Sequence, residues 1–477
     1  MANTNAELIF IPAPGAGHMT SMIEMAKVLV NRDQRLSVIV LVIKPPGAPS
    51  SVFGALERIS FIELPQNKPP STPNPKPKTA LSLFTEFIPS HSKHVKNVVG
   101  DMINQPRTSS RIAGFVIDSF CACMIDVANE LNIPTYVFFT SSAACLGFKF
   151  CVQTLADEMN KDILELSYSD TVLSVPTFAN PLPTKLFWIL VKTQEGVDFV
   201  LSSMRKLRGT KAILVNTFSE LETYAFESLS ADETIPPVYP VGPVLNLKGK
   251  PFDDDTLRWL DSQPHSSVVF LCFGSMGSFE EAQVKEIAHA LEQSGHRFLW
   301  SLRRPPLDHT SRFPTDYEDL SAVLPEGFLE RTRGIGKVIG WAPQVAALAH
   351  DAVGGFVSHC GWNSVLESLW FGVPLAAWPM YAEQQMIAFD MVVDKGLAVE
   401  IKLDYKRNVF DLKASSNTTV NVTAKEIESG IRRVMEDKEV RTKVKEMSAK
   451  SRSAVVEGGS SYASIGSLIQ DFIKNVS

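Results

Sequence analysis

The most constraining feature of this sequence is a layout that occurs twice: an apolar strand, a glycine-containing turn and an amphipathic helix. In the first copy the strand at 8–13 leads into a turn at 14–18. In the second copy the strand at 268–273 leads into a turn at 274–278. Short, continuous apolar strands that alternate with helices predict parallel sheets with helices on both faces. We therefore predict an α/β fold with two doubly wound domains rather than one.

The boundary between the two domains is predicted from composition. A proline-rich segment at 235–243 and a polar segment at 248–255 indicate an interdomain linker. We predict an N-terminal domain at 1–245, a C-terminal domain at 246–456 and a closing amphipathic helix within 457–477. Ligands of open α/β sheets bind beyond the carboxyl ends of the strands. Two such sheets facing each other across a cleft can therefore bring two substrates together.

Charge and cysteine content exclude several classes of protein. The 46 Lys+Arg and 52 Asp+Glu residues give a formal net charge of −6, which excludes a strongly basic nucleic-acid binder. The 6 cysteines have irregular spacing and form neither a zinc pattern nor a disulfide framework, so a reducing compartment is expected. No basic, apolar leader opens the chain, and no apolar stretch predicts a transmembrane segment. We expect a cytoplasmic monomer with no nucleic-acid partner.

One segment in the second half predicts an anion-binding site. A strand at 355–358 runs through His359 towards a helix predicted at 365–371, with Asn363 as its N-cap. The free N–H groups of that helix would point back at the strand end and favour an anion by ~0.3–1 kcal/mol, or up to ~2 kcal/mol when partly buried. His359, Asn363 and Ser364 can add side-chain donors. This arrangement is suited to a diphosphate.

Two further residues of the same region suit a nucleoside. Glu367 lies one turn further along the predicted helix, where its carboxylate can accept hydrogen bonds from ribose hydroxyls. Trp341 offers a flat face on which a base can stack. A lone tryptophan, helix cap or helical glutamate is usually structural, so the prediction depends on their combination within 341–384.

From its first Trp to its last Gln, the segment Trp341–Gln384 resembles the forty-four-residue PSPG box of plant family-1 UDP-dependent glycosyltransferases. The resemblance extends over the whole chain and includes the segments 116–118, 136–140, 273–278 and 300–301. It implies a GT-B fold, in which two Rossmann-like domains face each other across a cleft. The C-terminal domain would bind the UDP-sugar and the N-terminal domain the acceptor.

The resemblance also implies which residues hold the donor. Uracil would stack on the first Trp of the box, and the diphosphate would lie at the strand end and the helix that follows. The implied residues are Trp341, Ala342, Gln344 and Ser301 at the uracil, Glu367 at the ribose, His359, Asn363, Ser364 and Ser278 at the diphosphate, and Trp362, Glu383, Gln384 and Thr140 at the sugar. In this family a closing Gln usually accompanies glucose.

Two residues of the first half are predicted to carry the chemistry. His18 follows the first glycine turn at the start of a helix, where the helix dipole disfavours imidazolium and helps to keep the ring neutral. Asp118 ends the strand at 115–117 and can orient the imidazole if the two strands are neighbours. The resemblance assigns His18 as general base and Asp118 as its partner. We expect no metal requirement, because the donor region has no acidic metal-binding motif, and no cofactor besides UDP-glucose as co-substrate.

We therefore predict an inverting UDP-sugar-dependent O-glycosyltransferase, with UDP-glucose as the expected donor. It would form a β-glycoside on a hydroxyl of a lipophilic small molecule such as a flavonoid, a phenolic or a terpenoid. Loops of the N-terminal domain would build the acceptor pocket. Phe120, Phe148 and Phe199 are candidate lining residues, although each also suits a core position.

Two alternatives belong to other classes. A nicotinamide dinucleotide oxidoreductase is suggested by the glycines at 15 and 17, but Thr20 stands where the third glycine of that fingerprint belongs. A non-catalytic UDP-sugar-binding protein would have the same fold. The presence of both His18 and Asp118 argues against it.

Overall fold

The computed structural model describes residues 5–45, 54, 56–65, 81–104, 111–306, 313–405 and 422–476. Within these ranges the strands form two separate parallel sheets and one short hairpin. The prediction of an α/β fold with two doubly wound sheets is confirmed. Over the same ranges, none of the helices combines the length and the apolar character that crossing a membrane requires.

The first sheet has seven parallel strands in the order β3-β2-β1-β4-β5-β8-β9. The strands of this half are β1 (Ala6–Ile11), β2 (Leu36–Val42), β3 (Ile59–Glu63), β4 (Arg111–Asp118), β5 (Thr135–Phe139), β6 (Val172–Leu173), β7 (Leu182–Pro183), β8 (Ala212–Val215) and β9 (Val238–Pro240). The antiparallel pair β6–β7 stands apart from the sheet. The strand predicted at 8–13 ends two residues early, at Ile11, because Pro12 has no backbone N–H with which to continue the ladder.

The second sheet has six parallel strands in the order β12-β11-β10-β13-β14-β15. These strands are β10 (Val268–Cys272), β11 (Arg297–Ser301), β12 (Gly336–Ile339), β13 (Val353–Ser358), β14 (Leu375–Ala377) and β15 (Ala398–Glu400). The chain order reverses between β1 and β4 in the first sheet and between β10 and β13 in the second. Such reversals open a crevice beyond the carboxyl ends of the strands.

Helices cover both sheets. In chain order they are α1 (Ala16–Arg32), α2 (Ser92–Asn104), α3 (Met124–Glu130), α4 (Ala143–Asp157), α5 (Ile163–Tyr168), α6 (Gln194–Leu207), α7 (Thr223–Ala231), α8 (Asp254–Asp261), α9 (Glu281–Ser294), α10 (Phe328–Thr332), α11 (Gln344–Ala349), α12 (Trp362–Phe371), α13 (Gln384–Phe389), α14 (Ala424–Glu436), α15 (Lys438–Ala454) and α16 (Ser460–Lys474). Strand β1 shows why: Leu8 and Phe10 are buried in one hydrophobic layer, and Ile9 and Ile11 are buried in another. A strand that is apolar on both faces needs cover on both sides.

The last helix, α16, packs on the first sheet although it follows the second in the chain. Leu468 and Phe472 are buried in the same layer as Leu8 and Phe10 of β1. The phenol of Tyr136 donates a hydrogen bond to Asp471 at 2.5 Å and accepts one from Asn475 at 2.9 Å. The C-terminus therefore ties the two halves of the chain together.

The predicted linker is partly wrong. Residues 238–240 of the proline-rich segment form β9, which is the outermost strand of the first sheet. Proline is tolerated there, because an edge strand leaves one row of backbone groups unpaired. The irregular connection runs from 241 to 253 and ends where Asp253 caps α8. The division at 245/246 stays a prediction, although no strand or helix crosses it.

Candidate active site

Two groups of predicted residues lie at the two crevices. His18 lies in the first turn of α1, directly after β1, and Asp118 ends β4 beside it. Ser278 and His359 follow β10 and β13, which are neighbours in the second sheet. The two crevices meet, because the amide of Asn363 on α12 contacts the hydroxyl of Ser21 on α1 at 3.3 Å.

His18 is held by two partners on its Nδ1 side. Oδ2 of Asp118 lies 2.7 Å from Nδ1, and Oγ1 of Thr140 lies 3.1 Å from the same atom. Asp118 is fully buried, and its other oxygen accepts a hydrogen bond from the backbone N–H of Phe120 at 2.9 Å. The carboxylate therefore fixes both the tautomer and the orientation of the ring, with Nδ1 as the protonated nitrogen. Nε2 remains for chemistry in the cleft.

The expected electrostatics of His18 need a correction. The helix dipole opposes imidazolium, and we expected a ring kept neutral for that reason. Burial does lower the pKa of His18, but attraction and hydrogen bonding from Asp118, together with attraction from Glu383, raise that pKa above 6.5 overall. The sequence places Asp118 a hundred residues away, so its influence depends on the tertiary fold.

The helix after β13 begins earlier than predicted. α12 starts at Trp362 with Gly361 as its N-cap, so the prediction that Asn363 caps this helix is wrong. The chain has already turned at Cys360, whose φ is 61°, and the amide of Asn363 is directed across the cleft to Ser21. No side chain of the described residues caps α12. Its first N–H groups therefore point into the crevice and can bind an anion.

His359 lies behind this helix end. It is buried, and its Nδ1 has no hydrogen-bond partner among the described residues. Burial lowers the pKa of His359 to about 4, so the ring is neutral at physiological pH. Glycines at 274 and 361 allow the imidazole to come close, since a Cβ at either position would lie 2.6 or 2.5 Å from Nε2. A neutral imidazole can donate a hydrogen bond to a phosphate without adding charge.

Gln344 links two residues of α12. Its Nε2 donates to Oγ of Ser364 at 2.9 Å and to Oε2 of Glu367 at 2.7 Å. Burial raises the pKa of Glu367 to about 7, although the hydrogen bond from Gln344 opposes this rise. The side chain of Gln344 therefore orients a carboxylate, and its expected contact with uracil stays a prediction.

The residues expected around uracil lie at the rim of the second sheet. The indole of Trp341 is half exposed, and Nζ of Lys250 lies 5.5 Å from its ring centroid. The backbone N–H of Trp341 donates to Asp316 at 2.9 Å. Ser301 ends β11 and donates to the carbonyl of Gly340 at 2.7 Å. Ala342, the residue after Trp341, is buried.

The residues expected at the sugar have different environments. Trp362 is buried, and its indole N–H donates to the carbonyl of Asn216 in the first half at 2.7 Å, so this side chain joins the two halves. Gln384 is buried, and its Oε1 accepts from the N–H groups of Met380 and Tyr381 at 3.0 and 2.9 Å. Glu383 immediately precedes α13, close enough to influence the pKa of His18.

An aromatic cluster lies beside His18. Phe120 meets the imidazole edge to face at 5.2 Å between ring centroids and stacks on Phe84 at 4.3 Å. Phe199 of α6 lies parallel to Phe120 at 6.2 Å. Phe148, in contrast, is fully buried and packs against Phe187 at 4.9 Å. Of the three predicted lining residues, Phe120 and Phe199 are therefore in this cluster, and Phe148 belongs to the core.

Several residues of the site were not predicted. They are Ser21, Phe84, Lys149, Trp188 and Asp316. For most of these no sequence signal exists, because aromatic, serine and aspartate residues are common in loops and helices. Lys149 is the exception, since it interrupts the apolar sequence of α4 between two phenylalanines. Among the described residues, no three His, Cys, Asp or Glu side chains group as a metal site.

The fold and the site together define a class: a two-domain GT-B enzyme in which a helix end without a side-chain cap lies near a histidine–aspartate pair. Comparison with known proteins agrees. The family described as "UDP-glucoronosyl and UDP-glucosyl transferase" matches residues 59–451. UDP-glycosyltransferase 71A15 of Malus domestica is 53% identical over 97% of this chain and 98% of its own. The chain belongs to this family, in its plant UDP-glycosyltransferase branch, as the resemblance predicted.

Other relatives and solved structures support the same assignment. A putative UDP-glucose flavonoid 3-O-glucosyltransferase of Fragaria ananassa is 50% identical over 97% of this chain and 98% of its own. A transferase from Siraitia grosvenorii in complex with UDP has a TM-score of 0.86 at 45% identity, covering 98% of this chain and 100% of its own. UGT71G1 of Medicago truncatula, complexed with UDP-glucose, has a TM-score of 0.83 at 42% identity over 99% of both chains. Family membership decides against the nicotinamide-dependent oxidoreductase.

Proposed function

We propose that this protein transfers glucose from UDP-glucose to a hydroxyl of a small aromatic or terpenoid acceptor, with inversion at the anomeric carbon. One observation carries the proposal. His18 lies at the start of α1, and its Nδ1 is 2.7 Å from Oδ2 of Asp118. Helix α1 also contacts the uncapped amino end of α12, through Ser21 and Asn363. A base and an anion-binding helix end thus face the same space, as a transfer between two bound substrates requires.

We assign the donor to the second half of the chain. The diphosphate would accept hydrogen bonds from the first N–H groups of α12 and from His359, Ser364 and Ser278, and the helix dipole would favour its charge. Glu367, held by Gln344, would accept hydrogen bonds from the ribose hydroxyls. Trp341 would stack on the uracil, a role that the half-exposed indole supports.

The proposed reaction is a single displacement. The acceptor hydroxyl gives its proton to Nε2 of His18 while its oxygen forms a bond to the anomeric carbon. The bond between that carbon and the UDP oxygen breaks, and UDP leaves with the electron pair. Asp118 stabilises the imidazolium that forms, because it lies 2.7 Å from Nδ1 and is buried. Attack opposite the leaving group converts an α-linked donor into a β-glycoside.

The preference for glucose is assigned to two adjacent residues. The Oε1 atom of Gln384 already accepts two backbone hydrogen bonds, so its Nε2 presents donors to the sugar hydroxyls. The carboxylate of Glu383 can accept from neighbouring hydroxyls. Thr140 approaches from the first half, next to His18. These three residues offer both donors and acceptors, which a polyhydroxylated sugar needs.

The acceptor is assigned to the aromatic cluster of the first half. Phe120 lies beside the imidazole and Phe199 lies parallel to Phe120, and planar apolar acceptors stack well on aromatic rings. We propose residues 1–245 as the acceptor domain and 246–456 as the donor domain. The returning helix α16 keeps them in one assembly.

The test is to incubate the purified protein with UDP-glucose and a panel of flavonoid, phenolic and terpenoid alcohols. The expected result is release of UDP and a product heavier by one hexosyl group, with a β anomeric configuration by NMR. Parallel reactions with UDP-galactose and UDP-glucuronic acid test the donor preference. Release of no UDP above background with any acceptor, despite UDP binding by calorimetry, would favour a non-catalytic UDP-sugar-binding protein.

A further inference from the structure

Lys149 is a buried lysine next to the proposed acceptor pocket. It lies in the middle of α4 with a relative exposure of 6%. Its ammonium group makes no hydrogen bond and no ion pair with any residue that the structure describes. The residues before and after it in α4 are buried from Ala143 to Phe150. Lysine is almost never buried to this extent unless it is paired.

Aromatic rings surround the ammonium group. Nζ lies 4.1 Å from the ring centroid of Trp188, 4.6 Å from that of Phe139 and 5.6 Å from that of Phe120. Phe120 is also the ring that contacts His18. Phe120 is therefore a neighbour of both groups, and the charge of Lys149 is close enough to lower the pKa of His18.

This environment stabilises the ammonium only in part. Contacts with aromatic faces offset only part of the free energy that an unpaired charge loses when it is removed from water. Burial accordingly lowers the pKa of Lys149, and the more distant carboxylates of Glu383 and Asp118 oppose this effect. An acidic ligand oxygen at the ammonium would supply the missing partner. The pocket therefore favours such a ligand.

We propose that Lys149 binds a carboxylate, or a similarly acidic oxygen, on an aromatic acceptor whose hydroxyl receives the sugar. The aromatic ring of the acceptor rests against Phe120 and Trp188, and its reacting hydroxyl reaches Nε2 of His18. This inference rests on the proposed function and adds to it a class of preferred acceptors: phenolic acids and other aromatic hydroxy acids. Lys149 is then a residue that determines acceptor specificity.

The experiment compares two acceptors that differ only at the acidic group. Ferulic acid and its methyl ester have the same reacting phenol, and the ester lacks the charge. We expect the wild-type protein to have the lower KM for the acid. In Lys149→Met, the ratio of kcat/KM for acid over ester should fall by about tenfold to a hundredfold, mainly through KM, because a charge-assisted hydrogen bond is lost. Lys149→Arg should retain most of the preference.

Lys93→Met is the matched control, because it removes the same charge from an exposed position on α2. In Lys93→Met, the ratio of kcat/KM for the acid over the ester should equal that of the wild type. If Lys149→Met lowers kcat equally for the acid and the ester, the proposal is overturned, and Lys149 instead acts by changing the pKa of His18. An unchanged ratio would overturn it as well.

Two measurements keep this result separate from folding and from the proposed function. Calorimetry of the acid and the ester with the UDP-bound wild-type protein measures the preference without turnover or substitution, and equal affinities would overturn the proposal. A wild-type protein that binds the acid more tightly than the ester, yet glycosylates nothing in the panel, would contradict the proposed function and leave the binding inference standing.

Discussion

The two halves of the cleft are built in different ways. The donor side comes mostly from one continuous segment, 341–384, in which short polar contacts such as Gln344 to Glu367 at 2.7 Å fix each side chain. The acceptor side is assembled from separate elements, including α4, α6 and the turn after β4. The ring centroid of Phe120 lies 4.3 Å from that of Phe84 and 6.2 Å from that of Phe199. In the proposed function the donor side binds one nucleotide by hydrogen bonds and charge. The acceptor side offers a surface of apolar rings with a cation beneath it.

This difference explains how far each half could be predicted. Hydrogen bonds demand particular atoms at particular distances, so a nucleotide site leaves a recognisable pattern of polar residues. Apolar contact is non-directional, so lining residues have the same sequence pattern as core residues. Phe148 illustrates the ambiguity, since it was a candidate for the pocket and lies in the core. The following predictions test the division between the two halves, from the largest effect to the smallest.

The largest effect is expected for His18→Ala, which removes the base from the acceptor side. The value of kcat should fall by about 10²–10⁴-fold, the usual contribution of a general base. UDP affinity, measured by calorimetry, should stay within about twofold, since the donor binds to the other half. His289→Ala, at an exposed position of α9, is the control and should behave as the wild type. A large loss of UDP affinity in His18→Ala would contradict the division between the halves.

A smaller loss is expected for Asp118→Asn, because the imidazole remains. The value of kcat should fall by about tenfold to a hundredfold, since a charge-assisted hydrogen bond is lost. Asp118 raises the pKa of His18, and the base acts when it is deprotonated. Wild-type kcat/KM should therefore fall as the pH drops through a value above 6.5, and in Asp118→Asn this decline should move to lower pH. Rate profiles from acidic to mildly alkaline pH measure the shift, and a shift to higher pH would exclude this role.

On the donor side, Gln344→Ala should weaken UDP binding by about tenfold, because it leaves Glu367 and Ser364 without their shared donor. The hydrogen bond from Gln344 lowers the pKa of Glu367, which is about 7, so its loss should raise that pKa further. As the pH is lowered, protonation of Glu367 should therefore begin to weaken UDP binding at a higher pH in Gln344→Ala than in the wild type. Calorimetry at pH values on both sides of neutrality tests both points, with Gln293→Ala on the exposed face of α9 as control. An increase in the acceptor KM alone would contradict the assignment.

The smallest effect on activity is expected for Tyr136→Phe, which affects the connection between the halves. The substitution leaves Asp471 and Asn475 of the C-terminal segment without the phenol, at a cost of about 1–3 kcal/mol. Tm should fall by about 2–10 °C, while kcat at room temperature stays near that of the wild type. Tyr224→Phe, at an exposed position of α7, should leave Tm unchanged. An unchanged Tm in Tyr136→Phe would show that apolar packing of α16 holds the halves together without these bonds.

Much of the fold could be predicted from local pattern. Largely apolar runs predicted the strand at 268–272 to within a residue and the strand at 353–358 to within two, because a short apolar run is typical of a strand buried on both faces. Boundaries that depend on neighbours were less accurate. Residues 238–240 were expected in a linker, and they pair with β8 because the edge of that sheet is within reach.

Within the site, the contacts that the predicted donor residues make in the structure could not be predicted. Trp362 was expected to face the sugar, and its indole instead donates to Asn216, which lies in the other half of the molecule. Asn363 was expected to cap its own helix and instead contacts Ser21. Both differences involve residues from the opposite side of the cleft, and sequence spacing contains no information about that side.

The sequence by itself determined the two parallel sheets, the helix end that suits a diphosphate and the presence of a histidine and an aspartate. These features are encoded within short stretches, where periodicity and residue type limit the backbone to few conformations. Only the tertiary structure decided that Nδ1 of His18 meets Asp118, that Phe148 is core and that Lys149 is a buried charge beside the pocket. Long-range contacts decide burial and charge pairing, so the ionisation and exposure of a side chain emerge only when distant segments pack together.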